Sequence, residues 1–265
     1  MDLSTPVVDI ALIEAYSPQE GALLRQTRLP EFCDIAISHY IPAKFFLTLL
    51  QTNQIRLGRL DAQKNDPKDG CLPDSNMLPA KGLNEQFYDS FPAKRDALML
   101  DEQQKIIRQL SYIHCWFRGH AESIGMWRDF GSNGTGICIQ SSTTLLKNSV
   151  SAGWPQDLIF QMHECPYTES SVQLPDFLPS IASVRKDVAF SDQQEVRVLA
   201  VIDVTKGAAP LPGPDCRLVP VNLHILLKRI IIGPAVKSQD EHEVREALLA
   251  AGIKAEVLKS IVSFQ

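Results

Sequence analysis

The eight residues "EVRVLAVI", Glu195 to Ile202, constrain the fold more than any other stretch of the chain. The run is rich in β-branched side chains and too short for an ordinary helix, so it reads as a strand. Strand side chains alternate between faces, which sends Gln193, Glu195 and Arg197 to one side and Val196 and Val198 to the other. The valine side requires a core to pack on. The polar side admits two readings: an ordinary surface ion pair that contributes little, or a set of groups aimed at a ligand.

The same alternation recurs along the chain. "IAISHYI" (35–41) reads as a strand stopped by Pro42, and "AKFFLTLLQTNQ" follows with Phe45, Phe46, Leu49 and Leu50 at helical spacing. "IRLGRL" is a strand that runs into the turn "NDPKDG". "KRDALMLDEQQKIIRQL" is a helix, "SYIHCWF" a core strand, "SIGMWRDFG" a helical turn with Met126, Trp127 and Phe130 facing inward, and "TGICIQ" a strand. "LIFQMHECPY" is a strand, "LPSIASVRKDVAF" a helix and loop, "RIIIGP" a strand preceded by a helix, "DEHEVREALLAAG" a helix, and "KAEVLKSIVSF" a final strand. Strands and helices without a strict βαβ rhythm indicate an α+β fold. We expect mixed, largely antiparallel sheets with peripheral helices, a helical arm over residues 1–34, and one domain over 35–265. The Pro-, Asn- and Gly-rich stretch 71–92 reads as a long surface excursion of the kind that serves as a binding lid.

Charge narrows the partners. With 265 residues, a net charge of −5 and 22% charged side chains, the chain offers no bulk attraction for nucleic acid or anionic lipid. No stretch approaches the roughly 20 apolar residues of a membrane helix, and the acidic start lacks a signal peptide's positive charge, so a cytoplasmic protein without membrane contact is expected. Six cysteines (Cys33, Cys71, Cys115, Cys138, Cys165 and Cys216) are scattered without a CxxC and read as reduced thiols. Nothing has metal-ligand spacing, His163 with Cys165 included, so no metal is expected.

Phosphate loops, HExxH, GxSxG and kinase signatures are absent. The remaining chemistry-bearing residues lie at strand ends: His39 and Tyr40, Asn65 and Asp66, His114, Trp127, and Gln193 with Glu195 and Arg197. Each has a plainer reading: a hydrogen-bonded structural histidine, a core tryptophan, an Asx turn, a solvated charge pair. His114 and Cys115, inside a core strand, carry little functional weight.

In order along residues 35–265, "SHYIPAKFFLTLLQTNQIRLGRLDAQKNDP", "GMWRDFGSNGTGICI", "FSDQQEVRVLAV", "LKRIIIGP" and "LKSIVSF" resemble a widespread bacterial domain-of-unknown-function family with abortive-infection-like members. Gln193 stands where that pattern usually has Glu, and Phe130 where it usually has Tyr. More distantly, the arrangement resembles the ADP-ribosyltransferase superfamily. That resemblance implies an ADP-ribosyltransferase-like fold, NAD as substrate, a macromolecular acceptor (protein or nucleic acid), a regulatory partner protein, and a role as a toxin or phage-defence effector.

It also implies roles for residues. Glu195 and Gln193 are the catalytic candidates. His39 would meet the NAD ribose, with Tyr40 beside it as a further NAD-binding candidate, Trp127 or Phe130 would stack on the nicotinamide, and Arg197 would pair with Glu195 or an NAD phosphate. The chemistry gives the layout a reason: cleavage of the nicotinamide–ribose bond passes through an oxocarbenium-like state that a nearby carboxylate stabilises. A Gln two residues earlier on the same face would hold an acceptor amide or base. NAD glycohydrolase activity, and a non-catalytic protein- or nucleotide-binding module of the same fold, stand as alternatives.

Overall fold

The structure is a computed structural model that describes residues 34–63, 66, 69–71, 104–169, 183–203, 206 and 212–263. Residues 1–33 of the N-terminal arm, all of the 71–92 excursion after Cys71, and the Asn65 and Pro67 flanks of the "NDP" turn lie outside the described residues.

The chain alternates sheet and helix as an α+β fold. Strand β1 (Ala36–Pro42) leads into helix α1 (Ala43–Thr52) and strand β2 (Gln54–Arg59). After helical residues 104–110, numbered α2, come β3 (Ser111–Arg118), α3 (Ile124–Asp129), β4 (Gly136–Ser142) and α4 (Thr143–Val150). Then follow β5 (Leu158–Glu164), β6 (Tyr167–Thr168), β7 (Lys186–Asp187), a 3-10 helix (Val188–Gln193) and β8 (Glu195–Ile202). The last elements are β9 (Cys216–Pro220), α5 (Leu223–Leu226), β10 (Arg229–Ile232), α6 (Ser238–Ala250) and β11 (Glu256–Lys259).

The sequence marks α1 well. Pro42 stops β1 and sits at the N-cap position, where its missing N–H costs nothing. Phe46, Leu49 and Leu50 are buried at i, i+3 and i+4 spacing, each stabilising the fold by roughly 1.5–3 kcal/mol. Asn53 ends the helix in the left-handed region at φ 52°, its N–H bonded to the Leu49 carbonyl. Together with Tyr112, Trp116, Ile137, Ile139, Val196, Val198 and Leu226, these residues form the main core.

Nine strands make one sheet in the order β11-β10-β4-β1-β3-β2-β9, with β8 on β3 and β5 on β8. All pairings in it are antiparallel except β10 with β11. The α+β, largely antiparallel expectation therefore stands. Three local expectations change. Thr143–Val150 is a helix and Cys216–Pro220 a strand, neither marked by a strong sequence pattern. The described part of "LPSIASVRKDVAF" is not helical but a turn, the two-residue strand β7 and the start of the 3-10 helix, whose cap is the Asp187 carboxylate accepting from the Ala189 N–H. No helix among the described residues is long and apolar enough to cross a membrane.

Strand β3 organises the molecule. One edge pairs with β8 from Ser111 to Phe117. The other edge is shared: β1 takes its far end at Phe117 and Arg118, and β2 its near end at Tyr112 and Ile113. Because β1 and β2 part from each other, the register gives His114, Cys115 and Trp116 no strand partner on that edge. Side chains take over some of the backbone bonding: His39 Nδ1 donates to the Cys115 carbonyl at 2.9 Å, and His114 Nδ1 to the Arg56 carbonyl at 3.2 Å. The sheet is open at this point.

Candidate functional site

A cleft of about 650 Å³ lies where β1 and β2 separate, within the size range of small-molecule sites. Register shows why its walls are of two kinds. Ser38 lies opposite Phe117, and Phe117 opposite Glu195, so these three share a face of the sheet. His39 falls on the other face, with Trp116 and His114. Both sets line the cleft, because it runs through the opening rather than along one surface.

On the first face, Glu195 is buried, 5% exposed, and fully paired. Arg197 Nε donates to its Oε1 at 2.6 Å and Lys186 Nζ to its Oε2 at 3.2 Å. Arg197 in turn donates to both oxygens of Asp69, at 3.0 and 3.1 Å, and to the Ser183 carbonyl at 2.7 Å. Two cations and two carboxylates thus lie together out of solvent, the arrangement that makes burial of charge tolerable. Burial alone would raise the Glu195 pKa, but the charges of Arg197 and Lys186, with hydrogen bonds from Arg197 and Cys115, bring it down to about 2. The carboxylate is ionised at any ordinary pH.

The surface-pair reading of Glu195 and Arg197 is therefore overturned: this face of β8 is covered. The expectation that Gln193 shares a strand face with Glu195 also fails, because β8 begins at Glu195, Gln194 is in the left-handed region at φ 37°, and Gln193 ends the 3-10 helix. Lys186 brings the two together by another route. Its ammonium donates to Gln193 Oε1 at 2.7 Å while holding Glu195, and lies 5.0 Å from the centroid of the Phe190 ring.

On the second face, the rings of His39, His114 and Trp116 cluster, with centroids 4.5 Å (His39–His114) and 5.1 Å (His39–Trp116) apart. Burial lowers the His39 pKa to about 4, against the smaller opposing effect of its bond to Cys115. Burial, then the neighbouring His39, pushes His114 well below its ordinary value. Both rings are neutral. A carbonyl only accepts, so each Nδ1 carries the hydrogen and each Nε2 presents a lone pair. His114 Nε2 and the Trp116 indole N–H have no partner among the described residues.

The other expected site residues fall into two groups. Phe130 lines the cleft and is 40% exposed, at its rim with Phe45 and Leu218 and not facing inward. Tyr40 touches the cleft, but its hydroxyl accepts from the Ser123 N–H at 3.2 Å and its ring packs edge-on to Trp127. Trp127 is fully buried behind Tyr40, its indole donating to Glu122 at 2.9 Å, and is not on the cleft wall. Arg197 is likewise fully buried, and its bonds go to Glu195, Asp69 and Ser183 rather than to the cleft.

Lys186, Asp69, His114 and Trp116 were not among the expected site residues. The one available signal was a histidine and a tryptophan on the same side of an otherwise apolar strand. Among the described residues no group of three or more His, Cys, Asp or Glu is placed to hold a metal ion, and Cys71, Cys115, Cys138, Cys165 and Cys216 are not joined in disulfides.

No family model matches the chain, so the motif resemblance to the domain-of-unknown-function family has no family-level match behind it. No curated protein matches it either. Among solved structures the chain is similar to DarT of Thermus sp. 2.9 in complex with NAD+, at 10% identity and a TM-score of 0.36, over 87% of this chain and 96% of that one.

Proposed function

We propose that the cleft binds NAD and that the chain is an ADP-ribosyltransferase acting on a macromolecular acceptor. The observation that carries this reading is that His39 of β1 and Glu195 of β8, on opposite faces of the sheet, line one cleft through its opening. In the reaction, the bond between ribose C1′ and the nicotinamide nitrogen breaks, nicotinamide leaves with the electron pair, and the acceptor's nucleophile bonds to C1′ and gives up its proton.

Glu195 supplies the fixed negative charge that the oxocarbenium-like state needs. Arg197, Lys186 and Cys115 occupy three of the carboxylate's four or so lone-pair sites, which leaves one for a ribose hydroxyl. His39, neutral and oriented by the Cys115 carbonyl, offers its Nε2 lone pair to a second hydroxyl. Phe130, at the rim, offers a ring face for nicotinamide or acceptor. Arg197, behind Glu195, acts as a positioning residue.

The complete pairing of Glu195 favours a second reading, in which the same cleft binds a nucleotide without reacting and Glu195 is structural. Incubation with NAD labelled in its adenylate phosphate and a cell extract separates these. Transfer of label into protein or nucleic acid, lost in Glu195→Gln, supports the transferase. Nicotinamide release without transfer indicates a glycohydrolase. NAD binding with neither indicates the binding module.

A further inference from the structure

We infer that Tyr167 is a positioning residue for Glu195: with Lys186, its partner across β6 and β7, it fixes the glutamate at both its main chain and its carboxylate. The inference rests on the reading of the cleft as a transferase site and adds to it a residue that touches no substrate.

The register of β5 on β8 sets up the need. Glu164 lies opposite Val196, so Cys165 comes next to Glu195, and its N–H donates to the Glu195 carbonyl at 2.9 Å. A hydrogen-bonded antiparallel pair exchanges two bonds, which would make the Cys165 carbonyl the partner of the Glu195 N–H. That second bond is replaced. β5 has ended at Glu164, and the Glu195 N–H donates instead to the Tyr167 hydroxyl at 2.6 Å. A side chain thus stands in for a ladder bond at the first residue of β8, directly after Gln194 in the left-handed region at φ 37°.

Tyr167 and Lys186 face each other in the register of β6 on β7, and Lys186 Nζ reaches Glu195 Oε2 at 3.2 Å. One cross-strand pair therefore grips one residue at two atoms, a main-chain nitrogen and a carboxylate oxygen. The Lys186 N–H, donating to the Pro166 carbonyl at 3.1 Å, holds the register that brings both side chains to it. Tyr167 is not on the cleft wall. Burial raises its pKa above the ordinary tyrosine value, so the phenol is neutral and its loss would change where the carboxylate stands rather than the charge around it.

The test compares wild type and Tyr167→Phe in two measurements: steady-state nicotinamide release from NAD, and hydrogen exchange of the ¹⁵N-labelled Glu195 amide. In the wild type that amide is protected although it opens its strand. In Tyr167→Phe it exchanges about tenfold faster, as the loss of one neutral hydrogen bond predicts. There kcat falls at least about tenfold, while KM for NAD stays within about twofold. A side chain that only stabilised the fold would lower the urea midpoint and leave kcat of the folded protein unchanged. An unprotected Glu195 amide in the wild type, or a folded Tyr167→Phe variant with unchanged kcat or unchanged exchange, overturns the inference. The wild-type exchange decides even if the variant does not fold. A wild type that releases no nicotinamide overturns the transferase reading instead, and the exchange measurement then judges whether Tyr167 holds Glu195.

Discussion

Arg197 and Asp69 meet through two parallel hydrogen bonds, Nη1 to Oδ1 at 3.0 Å and Nη2 to Oδ2 at 3.1 Å, while the same guanidinium holds Glu195 through Nε at 2.6 Å. One buried cation thus anchors the site carboxylate to the segment that follows β2. Removing Asp69 leaves that cation underpaired in a place water cannot reach. Asp69→Ala should cost about 3–5 kcal/mol, measured as a lower urea midpoint with an unchanged slope. A loss under about 0.5 kcal/mol, the size of an ordinary surface change, would mean that the pair is solvated.

Acid should probe the same network. The folded pKa of Glu195, about 2, lies below its ordinary 4.5, so its stabilising effect is present above pH 4.5 and lost as pH falls toward 2. The loss amounts to about 3 kcal/mol. Urea unfolding at successive pH values should show it in the wild type. In Glu195→Gln the curve should be flatter over that window.

The His39 ring should not titrate near neutrality. Its folded pKa of about 4 lies below the ordinary 6.5, so the stability gained by keeping it neutral is complete above pH 6.5 and lost as pH falls toward 4. Its C2–H resonance should hold from pH 8 to about 5.5 and move below that. A midpoint near 6.5 would place the ring in water.

Two aromatic residues that read alike in sequence should separate by experiment. Trp127 is fully buried and should cost about 3–5 kcal/mol on replacement by Ala. Phe130, 40% exposed at the cleft rim, should cost under about 1 kcal/mol in Phe130→Ala, while weakening NAD binding severalfold by calorimetry.

That pair also shows how far the sequence could be read. Helical spacing correctly groups Met126, Trp127 and Phe130 on one short helix and its end, but spacing in a helix this short does not say which ring faces the core. The α+β class was legible because runs such as "EVRVLAVI" and "SYIHCWF" fit only strands. The parting of β1 from β2 was not, since pairing is set by long-range register that no local pattern encodes.

The site was legible only in part for a similar reason. His39, Gln193 and Glu195 stand out locally as polar residues at the ends of apolar runs. Lys186 and Asp69 matter through contacts with residues distant in sequence or on other elements: Asp69 is 128 residues from Arg197. His114 looked like one more core-strand residue because nothing local announces that its strand lacks a neighbour there. Gln194, in the left-handed region, breaks the strand one residue before Glu195 and so defeats the alternation that would otherwise place Gln193.

The central claim is tested most directly by nicotinamide release from NAD, followed with purified wild type and Glu195→Gln, with and without cell extract as a source of acceptor, each checked for its fold by circular dichroism. The account predicts release by wild type, and a fall of at least about a hundredfold in a folded variant, as when a charge aligned with the transition state is removed. No release and no NAD binding by the wild type, with or without extract, would contradict it.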